Sequence, residues 1–112
     1  MEIQTYKAQN IEILKLAGRF DAYEAPAVVA WLDKATAKTP AQVVINLGGV
    51  KFVDSTALAA LVQGMKHARQ REGDVHLCHL QQPVRIIFEL TRLNKALNIF
   101  GSEEEAVEAF GA

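Results

Sequence analysis

The run Val43-Val44-Ile45-Asn46-Leu47 constrains this chain more than any other feature: it is nearly all apolar, three of its five residues are β-branched, and it lies between Pro40 and Gly48-Gly49. A short run of this kind, apolar without alternation, reads as a strand covered on both faces and therefore as the centre of a sheet. Coverage on both faces calls for helical crossovers, and the sequence supplies them. From Glu24 to about Lys38, Val28, Val29, Leu32 and Ala35 recur at helical spacing, with Pro26 in the first turn, where its missing amide costs nothing. A second helix starts near Ser55, with Leu58, Leu61, Val62, Met65 and Ala68 on one face and Gln63, Lys66 and Gln70 on the other. Pro83 opens a third helix that aligns Val84, Ile87, Phe88 and Thr91. Ser102-Glu103-Glu104-Glu105 has the form of a capping box ahead of a terminal helix.

Between these helices, residues 2–7 and 10–17 read as strands, with Gly18 closing the second. The second strand alternates and then slips parity, as a bulged or doubly covered strand does. Val75 to Leu80 and Ala96 to Phe100 read as the remaining strands, and Val50 to Val53 as a brief connecting segment. The class is α/β: a mixed central sheet of about five strands with about four helices, the first two strands placed to form a hairpin and the rest pairing in parallel through right-handed crossovers.

At 112 residues the chain fits one domain spanning 1–112. Half of the residues are apolar and 22% are charged, enough apolar surface to offset the entropy of ordering them. The net charge of −1, with no dense basic run, argues against nucleic acid as a partner. The apolar stretches fall far short of the roughly 20 residues of a membrane helix. Met1 to Thr5 shows no basic region leading into an apolar one, so the expected place is the cytoplasm, without membrane attachment. Cys78 is the only cysteine, which excludes an internal disulfide and a Cys-rich metal framework. His79 falls on the strand face opposite His76 and Cys78, so no metal site is expected there. No phosphate-binding glycine loop occurs and no Ser/His/Asp triad can be placed; neither a cofactor nor a catalytic residue is expected.

In sheets of this class, function collects at the carboxyl ends of the strands, where loops enter helices. Three segments should meet there: Gly18-Arg19-Phe20-Asp21, Val53-Asp54-Ser55-Thr56 and the turn before Pro83. Ser55, in the first turn of a helix, faces unpaired amides and the positive end of the dipole, a favourable seat for a phosphate. Taken locally, Asp54-Ser55-Thr56 reads first as a helix cap. Gly18 to Asp21, Val44 to Leu47 and Phe52-Val53-Asp54-Ser55-Thr56-Ala57-Leu58 together resemble the STAS domains of bacterial anti-sigma factor antagonists, in an order of elements shared over nearly the whole chain.

That resemblance implies a STAS-like fold and a partner-switching regulator that is not an enzyme. Ser55 takes the position of the serine phosphorylated by an anti-sigma factor that is also a serine kinase. The unphosphorylated form then binds the anti-sigma factor and frees the sigma factor, and a metal-dependent serine phosphatase restores it. Asp21 and Asp54 match the family's acidic residues flanking the site, and with Ser55 and Thr56 they form the expected docking surface. Two positions depart from the pattern: Asn46 stands where Asp is usual, and Ala57, where Gly is common, is expected to add a methyl at the docking face. Two rivals are a phospho-aspartate receiver domain and a non-switching STAS scaffold of a transporter or stress-signalling complex. The receiver lacks its acidic pair here, since only Asp21 follows the second strand.

Overall fold

The computed structural model describes residues 1–111. Five strands, β1 (Glu2–Ala8), β2 (Ile11–Phe20), β3 (Gln42–Val53), β4 (Asp74–Cys78) and β5 (Asn98–Phe100), form one sheet in the order β1-β2-β3-β4-β5. The hairpin β1–β2 is antiparallel, and the three further pairings are parallel. This is the mixed sheet that the pattern implies, with β3 at its centre. Val43, Val44, Ile45 and Leu47 are fully buried and Asn46 nearly so, which accounts for the lack of alternation.

The connections after β2, β3 and β4 carry α1 (Ala25–Ala35), α2 (Ser55–Gln70), α3 (Gln82–Leu90) and the single turn α4 (Leu93–Ala96); α5 (Glu103–Glu108) follows β5. The large core cluster joins Leu14, Leu16, Ile45 and Leu47 to Val28, Leu32, Leu61 and Phe88. A small second cluster lies under α5 and contains Ile11, Ile13, Val44, Cys78 and Ala106. Parity decides the division, because adjacent residues of a strand point to opposite faces.

Two glycine signals acted otherwise than expected. Gly18 does not end β2: it has φ +108° and sits at a register shift, after which Arg19 and Phe20 pair with Phe52 and Val53. Gly48-Gly49 does not end β3 either, and Val50 to Val53 belong to the strand. A Cβ on Gly49 would lie 2.5 Å from the Ala17 Cβ, so glycine here permits close approach of β2 and β3 instead of breaking the ladder. Helix α1 stops at Ala35, short of Lys38, where Thr36 turns its hydroxyl onto the Leu32 carbonyl at 2.7 Å. The Leu93–Ala96 turn takes Ala96 from the expected last strand, and among the described residues five helical segments stand where about four were expected. His79, with φ +59°, ends β4 two residues before Leu80.

Candidate functional site

Phe20 and Val53 are the last pair of the β2–β3 ladder. Because the two strands are parallel, the chain leaves both at the same edge, and the turn from Asp21 lies beside the start of α2. Asp54 joins them. Its Oδ1 accepts from the Ala57 amide at 2.9 Å and caps α2, while its Oδ2 accepts from the Ala22 amide at 2.9 Å across the gap. Asp21 organises its own turn: Oδ1 accepts from the amides of Tyr23 (3.1 Å) and Glu24 (3.3 Å), and Oδ2 takes Arg19 Nε at 3.2 Å. Arg19 lies in turn over the Phe52 ring, 3.7 Å from its centre. Both carboxylates are thus engaged in building the loop.

Ser55 and Thr56 are exposed at the first two positions of the 16-residue α2. Among the described residues none hydrogen-bonds the Ser55 hydroxyl. Asp54 takes the Ala57 amide with its side chain and the Leu58 amide with its carbonyl (3.0 Å), leaving the Ser55 and Thr56 amides without an intrahelical partner. The result is an accessible hydroxyl at the positive end of a long helix, beside two donors able to meet an anion.

The third expected segment lies elsewhere. β4 stops pairing with β3 at Asn46–Cys78, whereas β2 accompanies β3 to Val53. The turn before Pro83 accordingly closes on the middle of β3, where Gln81 Nε2 donates to the Gly48 carbonyl at 2.6 Å. Ala57 is also corrected: it is fully buried, so its methyl packs in the core and adds nothing to the docking face.

Asn46 belongs to a network at the other face of the sheet. Its Oδ1 accepts from the Gly48 amide (2.8 Å) and its Nδ2 donates to Glu103 Oε1 (3.1 Å), while the Tyr6 hydroxyl donates to the same carboxylate at 2.6 and 2.7 Å. An aspartate at 46 would set a second acceptor against Glu103; the amide supplies a donor. Glu103, which the sequence marks only as part of a capping box, therefore anchors α5. Its other neighbours are structural too: His79 Nε2 accepts from the Glu103 amide at 3.3 Å, and the buried His76 meets the Ala106 carbonyl at 2.8 Å and stacks on Phe110. Burial, followed by Glu103 and Glu104, pushes the Cys78 thiol up to about 12, which leaves it unreactive near neutrality.

This network makes a pH prediction. Loss of hydration and then the bond to Glu103 push the Tyr6 phenol up from 10.0 to about 12. The folded chain holds this proton more tightly than the unfolded chain, so the contribution of Tyr6 is complete below about pH 10 and is lost as pH rises through about 12. Urea melts across that range are expected to show a fall in stability with pH that is shallower in Tyr6→Phe. Parallel slopes would contradict the assignment.

Sequence reasoning missed the bond from Ala22 to Asp54 and the exposure of Tyr23, which is 94% accessible in the turn before α1. An aromatic among polar and small residues just ahead of Pro26 was the available signal for the second.

Comparison with known proteins identifies the family and the fold. The family model described as STAS domain matches residues 2–106. The anti-sigma-B factor antagonist of Listeria monocytogenes is 33% identical over 105 residues, covering 94% of this chain and 91% of the relative. The structure of an anti-sigma-factor antagonist (STAS) domain protein from Planctomyces limnophilus superposes with a TM-score of 0.88 at 20% identity over 98% of each chain. The phosphorylated form of SpoIIAA, a Bacillus cell fate determinant, gives 0.74 at 19% identity over 97% of this chain and 99% of its own.

Proposed function

The chain belongs to the STAS-domain family of anti-sigma factor antagonists, and from that premise we propose that it acts as a phosphorylation-controlled binding partner of an anti-sigma factor. Unphosphorylated, it binds the anti-sigma factor and so releases the sigma factor. The anti-sigma factor is also a serine kinase: the Ser55 Oγ forms a bond to the γ-phosphorus of ATP, the bond to the β-phosphate oxygen breaks, ADP leaves, and the hydroxyl proton passes to a base on the kinase. A metal-dependent serine phosphatase hydrolyses the phosphoserine back to serine and inorganic phosphate. The chain contributes an acceptor and a surface, and its partners contribute the catalysis. It works in the cytoplasm, and no helix among the described residues is long and apolar enough to cross a membrane.

The observation that carries this reading is the exposed Ser55 at the first position of α2, held beside the Asp21 turn by the two bonds of Asp54. In this setting Asp21 and Asp54 act as positioning residues, while Ser55 and Thr56 face the partner. The reading is tested by adding the unphosphorylated chain to a preformed sigma–anti-sigma complex from the same organism and following release on gel filtration. Free sigma factor is the expected result. An undisturbed complex would favour the scaffold alternative, in which Ser55 is only a cap.

A further inference from the structure

A groove of about 430 Å³ runs between α1 and α2 next to Ser55. Ala22, Pro26, Val29, Thr56, Ala59 and Gln63 form most of it, and none of the described side chains lining it is charged. Charged residues make up 22% of the chain, yet none lines this groove, whereas Asp21 and Asp54 stand beside Ser55 itself. Val29 is open to solvent and Tyr23, directly after Ala22, is 94% exposed. Tyr23 is presented by a built turn: its own amide bonds to Asp21, and the Ala22 amide bonds to Asp54. A large amphipathic side chain with few rotamers on a pre-formed turn costs little entropy to immobilise, which is why tyrosine recurs among interface hot spots.

Building on the antagonist reading, we propose that this groove receives an aliphatic or aromatic side chain of the anti-sigma factor, with Tyr23 packing beside it, and that this apolar contact carries most of the affinity of the unphosphorylated form. Continuity identifies the occupant. Thr56 lines the groove and follows Ser55, and Ala22 is tied to the Asp54 cap. A partner near enough for a phosphate on Ser55 to repel it also covers this end of the groove. An uncharged lining suits an apolar side chain, with no cation to pair with a nucleotide's phosphates and no carboxylate to pair with a basic segment.

The test titrates the anti-sigma factor with wild type, Tyr23→Ala, Ala59→Arg and, as a control on the far helix α3, Leu90→Ala. Ala59 is exposed in mid-helix, and arginine keeps its helix propensity, so the variant should melt like wild type while filling the groove. Tyr23→Ala and Ala59→Arg are each expected to weaken binding by about tenfold or more, and Leu90→Ala to leave it unchanged. Wild-type binding with both groove variants equally tight overturns the groove assignment and leaves the antagonist reading standing. Failure of wild type itself to bind overturns both. Sedimentation of each protein alone separates a second occupant: if Ala59→Arg dissociates a dimer of this chain without affecting anti-sigma binding, the groove serves self-association and the proposal is wrong.

Discussion

Phosphorylation of Ser55 is expected to weaken anti-sigma binding by about a few hundredfold, equivalent to roughly 3–4 kcal/mol, with little change in the circular dichroism spectrum or the melting temperature. The phosphate adds about −1.5 to −2 charge and three strong acceptors at pH 7. In the free protein this group has company it can tolerate: the positive end of α2, the unpaired amides of Ser55 and Thr56, and open solvent. In the complex the same group would be enclosed against an uncharged groove and near the carboxylates of Asp21 and Asp54, where sterics, desolvation and repulsion act together. Because the penalty falls almost wholly on the bound state, affinity should change without stability. Ser55→Asp, with one charge and a shorter reach, should show the same direction at smaller size. Calorimetric titration of the phosphorylated and unphosphorylated forms checks this, and equal affinities would contradict it.

Asp54→Ala is expected to destabilise the fold by about 2–3 kcal/mol, or about 10 °C in melting temperature for a domain of this size. Loss of an N-cap costs about 1 kcal/mol, and a bond from an amide to a charged acceptor about 1.5 kcal/mol or more. Asp54 makes one of each, to Ala57 and to Ala22, and alanine has no acceptor for either amide. Asp54→Asn keeps one carbonyl oxygen for the cap but turns a second donor toward the Ala22 amide, so it should fall between wild type and alanine. Hydrogen exchange should localise the damage, with the amides of Ala22 and Ala57 exchanging faster in Asp54→Ala. If alanine melts within about 2 °C of wild type, the bracket between the two loops is not a significant source of stability.

The parts of this molecule that were legible in its sequence are those written in local patterns. The β-branched run at Val43 to Leu47 placed the central strand, Pro26 and Pro83 marked two helix starts, and Asp54-Ser55-Thr56 marked a third, because caps and first-turn prolines act on amides a few residues away. What was not legible depends on partners distant along the chain. A glycine that stops a strand and a glycine that lets two strands approach look alike, and only the Ala17 methyl facing Gly49 decides between them. Asp54 reads as a cap, but its second bond reaches 32 residues back, and the Tyr6–Glu103 bond spans 97. The candidate site shows the same limit: the motif was enough to put Ser55 at the start of α2, whereas the finding that Asp21 and Asp54 hold the loop, and that Ala57 faces inward, needed the pairing of Phe20 with Val53.

The whole account depends on one oxygen accepting a phosphoryl group, and intact-mass spectrometry addresses it directly. The chain and its Ser55→Ala variant are each incubated with the cognate anti-sigma kinase and ATP. A gain of one phosphate by the wild type and none by the variant is the predicted result. Equal phosphorylation of both proteins, or of neither, would contradict it.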